Sequence, residues 1–223
     1  MPHRLLVAIL ILAACASGPP TQPNDREWDQ IMSDYAWIDS VRKAQPAPPA
    51  DAPRKQQIET TLATHKKLEP MYVAFIDKVR EYNDRTRDPR AAKLLASEKI
   101  RMGDEYMNLL SRYDKALEFY RAALQLDPAN QDAQQRIATA ESRRYVSITA
   151  FADVRTGMKE EDVKKLVGLP REDWIKQVVQ NGRVYSVWIF PKADGGASAI
   201  YFDNGVVYHT NWNAAAPPGA QSR

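Results

Sequence analysis

The chain has 223 residues, of which 44% are hydrophobic and 26% charged, with a formal net charge of +3. Such values belong to a folded, water-facing protein with room for one or two cores, and they exclude a low-complexity or collagen-like chain. The small positive excess is scattered along the sequence, which argues against nucleic acid as a partner, since that footprint gathers Lys and Arg on one face.

At the N-terminus, Arg4 and the chain amine supply positive charge, Leu5 to Leu12 is an unbroken apolar run, and Ala13 and Ala14 precede Cys15. Charge, a short apolar core and small residues at a cut site form the layout of an export signal. The run is too short to span a bilayer, which takes about 20 apolar residues. Leu12-Ala13-Ala14-Cys15 resembles the bacterial lipoprotein box. The resemblance implies a signal peptide over 1–14, acylation of Cys15 and a mature chain held to a membrane by that residue. Cys15 is the only cysteine, so no internal disulfide competes for it. Many lipoproteins kept at the inner membrane carry aspartate after the cysteine. Ala16 stands there instead, which by the same resemblance implies the outer membrane, with the body facing the periplasm.

Residues 15–24 are rich in Pro, Ser and Gly and read as a tether. Trp28, Ile31, Tyr35, Ile38 and Val41 then recur at spacings of three and four, which predicts an amphipathic helix over 25–44 capped by Asn24 or Asp25. Residues 45–53 hold four prolines in nine positions. They predict an extended linker that sets this helix apart from the rest of the chain. Helix resumes near Arg54, breaks around Pro70 and ends near Arg87. Asp88-Pro89 reads as a cap followed by proline at the first helical position, opening a long helix with Leu94, Leu95, Ile100, Met102, Tyr106, Leu109 and Leu110 on its apolar side.

The segment from Tyr113 to Pro128 resembles the second helix of a tetratricopeptide repeat. Ala116 and Ala123 would admit a neighbouring helix closely, Tyr120 would fill the space between layers, and Asp127-Pro128 would end one helix and cap the next. The first helix of that repeat, about 97–111, fits loosely through Gly103 and Met107, with Ile100 at the usual tryptophan position. The flanks 54–87 and 129–144 are then degenerate neighbours, giving a helical region over 54–144. The alternative is a generic helical bundle with an Ala–Tyr–Ala core stripe.

Beyond Arg144 the pattern changes. Val163, Leu166 and Val167 share one face of a short helix closed by Gly168 and Pro170. Strand-like runs come next, at 174–179, 184–190, 197–202 and 206–209, with Asn181-Gly182 as a two-residue hairpin turn. About 60 residues lies near the lower limit for a core, so the helix must cover one sheet face. The predicted class is α+β: a helical region, then a small helix-plus-antiparallel-sheet domain over 151–212, then a disordered tail over 213–223. Thr156-Gly157-Met158, Gly168-Leu169-Pro170 and Ile200 to Val207 resemble the BamE family, also called SmpA/OmlA, over roughly a quarter of the chain. Its members are mostly outer-membrane lipoproteins that support the β-barrel assembly machinery. Here Lys159 stands where the family has a capping Thr or Ser, so the cap must come from elsewhere, with Thr156 as the candidate.

No catalytic set is evident. His3 lies in the signal, His65 in a helical Thr-His-Lys-Lys stretch read as solvated, and His209 just after the last strand. Neither a metal-ligand spacing nor a phosphate-binding loop is evident, so no cofactor and no small-molecule substrate is expected. Cys15 is the lipid-attachment residue. Trp28, Tyr35, Tyr120, Met158, Tyr185, Trp188 and Tyr201 are the candidate partner contacts, with Tyr208 beside the last three on an aromatic sheet face. Two function classes remain: a non-catalytic scaffold docking envelope proteins, with the barrel-assembly machinery as the named candidate, or a module that grips peptidoglycan, lipid or glycan.

Overall fold

The computed structural model describes residues 22–49 and 52–216; Cys15 with the export signal, most of the tether and residues 217–223 lie outside the described residues. Among those described, seven helices precede a four-stranded antiparallel sheet.

Helix α1 spans Asp25–Lys43, and the Asn24 side chain accepts the Arg26 and Glu27 N–H groups at its start. Helix α2 spans Arg54–Thr86. The proline-rich linker does not set α1 apart. Ile31 and Ile38 of α1 pack with Phe75, Val79 and Tyr82 of α2 and with Ala91 and Leu95 of the next helix in one buried cluster. The apolar stripe needed a partner, and the neighbouring helices supply it. Nor does α2 break at Pro70, which sits inside it. Proline has no N–H for the Lys66 carbonyl four residues back. Pro70 and Lys66 are both exposed, so water can meet that carbonyl, while buried Leu68 and Phe75 hold the helix on either side.

Arg87 takes a left-handed conformation (φ 55°) that closes α2. Helix α3 then spans Pro89–Asn108, and the Asp88 side chain accepts the Arg90 N–H. Leu109 and Leu110, expected within this helix, instead form the turn before α4, Tyr113–Leu126. Helix α5 spans Gln131–Arg143. Its cap is Asn130, whose side chain accepts the Ala133 N–H at 2.9 Å, not the Asp127-Pro128 pair. Ala96 and Ile100 of α3, Ala116, Leu117, Tyr120 and Ala123 of α4, and Ala133 and Ala140 of α5 make the second buried cluster. The alanines allow close helix approach, and the Tyr120 ring fills the gap they leave beside Gly103.

A short helix α6, Ile148–Ala152, has its Ala150 N–H bonded to the capping Ser147 side chain. It was not legible in the sequence. Helix α7 spans Glu160–Val167. Strands β1 (Ile175–Gln180), β2 (Arg183–Pro191), β3 (Ala197–Asp203) and β4 (Val206–Ala214) form a meander in chain order. Residues 213 and 214, expected in a tail, belong instead to β4, which runs through His209 to Ala214 and pairs with β3. Asn181 (φ 50°) and Gly182 (φ 71°) make the tight β1–β2 turn with positive φ at both positions. The α7 cap does not come from Thr156. The Glu160 N–H bonds the Gly205 carbonyl at 3.0 Å, and the Gly157 N–H donates to the Val207 carbonyl at 2.8 Å. The start of α7 is thus stitched to the β3–β4 turn, which removes the need for a side-chain cap at Lys159. Val163 of α7, Phe151 and Val154 pack with Trp188, Phe190, Ile200, Phe202 and Val207 on the inner sheet face.

The helical and sheet units are joined at Arg54. Its guanidinium donates to the Leu109 carbonyl, to the Ser111 hydroxyl at 2.9 Å and to the Pro170 carbonyl at 2.8 Å. It also lies 3.6 Å from the Glu172 carboxylate. One side chain at the start of α2 therefore ties the α3–α4 turn to the segment leading into β1. The Val146 N–H adds a second link to the Pro191 carbonyl at 3.0 Å.

Candidate partner-binding surfaces

Strand alternation sends Ser186, Trp188 and Phe190 of β2 inward and Tyr185, Val187 and Ile189 outward. The two-residue turn fixes the register, so that Val178 of β1 stands opposite Tyr185, and Val187 stands opposite Tyr201 of β3. On β4, Tyr208 is the extra residue of a bulge, since Tyr201 pairs with His209 and Phe202 with Val207. The outer face carries three tyrosines in contact. Tyr208 meets Tyr185 edge-on at 6.5 Å and Tyr201 at 6.1 Å, and Tyr201 lies 5.3 Å from the His209 ring. Val178 is 58% exposed and Tyr208 50%. An ion pair between Arg183 and Asp203, with Nε to Oδ1 at 3.0 Å, edges the patch. No helix of the described residues packs on this face in the way α7 packs on the other.

The remaining candidates divide by burial. Trp188 is 5% exposed and tilted against Phe202 at 4.8 Å, so it belongs to the inner core. Tyr120 is fully buried, and its hydroxyl donates to Asp104 at 2.8 Å. Burial and that carboxylate push its phenol well above the ordinary value. Met158 is half-buried against the inner cluster, at the junction of α7 and the sheet. Trp28 is half-buried, 5.9 Å from Tyr82, with the Arg90 guanidinium 5.1 Å from its ring. Tyr35 stacks on Phe75 at 5.5 Å. Burial and the nearby Glu98 carboxylate, which accepts its proton at 2.9 Å, push the Tyr35 hydroxyl up to about 12. These five side chains hold the helices and the sheet together. Tyr185 and Tyr201 are the candidates left facing solvent, with Tyr208 beside them.

Comparison with known proteins gives this chain no relative. No family model, no curated protein and no solved structure matches it.

A groove of about 520 Å3 runs between α2 and α3, floored by Tyr72, Val73, Ile76 and Met102. Among the described residues, much of its polar wall is already paired, with Lys66 and Glu69 as the exceptions. Arg101 donates to Glu98 at 2.9 Å and to Glu105 at 2.6 Å, and His65 lies 3.3 Å from Glu105. Burial alone would raise the Glu105 carboxyl, but His65 and Arg101 outweigh it and hold it below the ordinary value. His65 is therefore engaged across the helix pair rather than free in solvent, and His209 lies within β4 on the outer face. Among the described residues, no group of His, Cys, Asp and Glu is placed to hold a metal ion, and no helix is long and apolar enough to cross a membrane.

Proposed function

We propose that this chain is an outer-membrane lipoprotein, anchored through Cys15 and facing the periplasm, that acts without catalysis as a scaffold in envelope assembly or maintenance. In this reading α2 to α5 are a tetratricopeptide-like array, and the unit from Phe151 to Ala214 is BamE-like. The Gly103–Tyr120 contact and the alanines around it support the first likeness. The stitching of Gly157 and Glu160 to the β3–β4 turn supports the second.

The observation that carries the proposal is the uncovered outer face of the sheet, with Val178, Tyr185, Val187, Tyr201 and Tyr208. Aromatic anchors of this kind dominate protein interfaces. Four clefts of about 360 to 520 Å3 open elsewhere among the described residues, and a flat face suits a protein better than a small molecule. Four strands about 4.8 Å apart and some seven residues of about 3.3 Å give roughly 450 Å2 of face. That is near half of the about 800 Å2 per partner in a stable interface. The partner therefore extends past the face, and the exposed edge of β1 offers unpaired backbone groups for an added strand. The occupant is an envelope protein, with the β-barrel assembly machinery as the candidate. Affinity purification of the full chain from crosslinked membranes tests this, with Tyr208→Lys compared against wild type. A barrel-assembly subunit that co-purifies with wild type and is lost from the variant supports the scaffold. Recovery of glycan or lipid with no protein partner refutes it.

A further inference from the structure

The helical array and the sheet unit meet along a seam, and a cleft of about 360 Å3 opens into it. That volume lies at the small end of the range of about 300–1,000 Å3 for ligand sites, which favour such junctions. The ends of α3 and α5, the start of α4, the 145–150 connection and the last turn of α7 wall it. No Asp or Glu lines it, whereas three other large clefts each carry two or three.

Four residues with donor side chains line this cleft: Asn108 at the end of α3, Arg143 and Tyr145 at and just past the end of α5, and Lys164 on α7. None of the four side chains has a hydrogen bond or a carboxylate partner among the described residues. Elsewhere in the fold, Arg54, Arg90, Arg101, Arg136 and Arg183 are all engaged by carboxylates. Arg143 and Lys164, two cations without a carboxylate partner among the described residues, line one concave space, and an anion there would balance their charge. Charge-assisted bonds of this type are about twice as strong as neutral ones, and guanidinium matches an oxyanion in a two-pronged geometry. Met107 and Leu169 add an apolar wall, fit for the C–H face of a sugar ring. We propose that the seam is a binding site for a sugar phosphate, its phosphoryl oxygens held by Arg143 and Lys164 and its ring hydroxyls by Asn108 and Tyr145. The site is separate from the outer sheet face and does not depend on that face docking a protein. A bound sugar phosphate links α3, α5 and α7, and so fixes the helical array against the sheet unit.

Titration of the full chain in detergent with glucose 1-phosphate, at constant ionic strength and read by amide NMR, tests this. Saturable shifts are expected at Asn108, Arg143, Tyr145 and Lys164. Arg143 and Lys164 are both exposed, so Arg143→Gln and Lys164→Gln leave the fold intact. Each is expected to weaken binding about tenfold, the loss of one charge-assisted bond. Lys43→Gln, an equal charge change on α1, leaves it unaltered. Inorganic phosphate, which lacks the ring, should bind more weakly than glucose 1-phosphate. The proposal is overturned by the absence of saturation up to about 10 mM, by variants that bind as wild type, by an equal loss in Lys43→Gln, or by inorganic phosphate binding as tightly as the sugar phosphate.

Discussion

Replacing Gly103 with alanine should destabilise the helical array, although alanine normally gains a helix about 1 kcal/mol over glycine. A Cβ built on Gly103 falls 2.3 Å from Cε1, 2.7 Å from Cδ1 and 2.9 Å from Cζ of Tyr120. Ordinary carbon–carbon contact is about 3.5–4.0 Å, so the ring would have to retreat by about 1 Å. It has nowhere to go. Tyr120 is fully buried, its hydroxyl is bonded to Asp104 at 2.8 Å, and Arg136 of α5 holds the same carboxylate at 2.7 Å. Overpacking of this kind costs about 1–3 kcal/mol. Taking the upper end, because backbone and ring are both held, and subtracting the propensity gain leaves about 2 kcal/mol. For a chain of this size that is a drop of about 4–8 °C in the helical melting transition followed by circular dichroism. The double variant Gly103→Ala with Tyr120→Leu should recover part of the loss, since it removes the ring that clashes; the coupling between the two sites is the diagnostic quantity. A more stable Gly103→Ala, gaining about 1 kcal/mol as an open helix position would, refutes the close α3–α4 packing and the repeat-like reading with it.

Three further outcomes are expected. Arg54→Ala removes the bonds to Leu109, Ser111 and Pro170, so amide exchange around 109–111 and 171–172 should accelerate while exchange in the centre of α4 stays slow. Unchanged exchange at the seam means that Arg54 does not couple the two units. The Asp88 carboxyl is held down to about 2 by the Arg90 guanidinium, aided by the Arg90 N–H and the Tyr82 hydroxyl. Because the folded value is the lower one, its stabilisation is complete above the unfolded value of 3.8 and is lost as pH falls toward 2. Asp88→Asn should flatten the loss of stability over that acid range, and an identical acid profile in the variant contradicts the pairing. Cys15→Ser should leave the protein soluble or uncleaved, as read by membrane fractionation after metabolic lipid labelling, because two or more acyl chains are needed for stable anchoring. A wild-type chain that takes up no lipid label sinks the anchor.

How much of the fold was legible in the sequence depends on the range of the forces involved. Asn181-Gly182 marked its hairpin because both positions demand positive φ. Alternation about that turn puts Trp188 and Tyr185 on opposite faces, so the single aromatic face expected for both ignored a signal that the sequence already carried. The stripe of Ala116, Tyr120 and Ala123 was readable for the same reason, as one face of one helix. The hidden features depend on residues far apart in the chain. The return of α1 onto α2 depends on where Phe75 and Val79 face, which no local pattern around the prolines of 45–53 reveals. Arg54 reads as one more surface cation until Leu109 and Pro170 come together around it. The α7 start has no capping side chain because its donor is met by a carbonyl some 45 residues onward, at Gly205. Helix α6 is only five residues long, too short to show a period. The unpaired donors of the seam cleft were equally invisible, since they come together from three separate stretches of the chain.

The scaffold account rests on the outer sheet face meeting an envelope protein in the membrane. A photoreactive amino acid placed singly at Val178 and at Tyr208, both exposed on that face, and at Trp37 of α1, 59% exposed and remote from it, tests this most directly when the full chain is irradiated in intact membranes. The account predicts a discrete adduct with a barrel-assembly subunit from positions 178 and 208 and none from 37. Membrane-localised protein that yields no protein adduct from either sheet position, or the same adducts from all three, contradicts it.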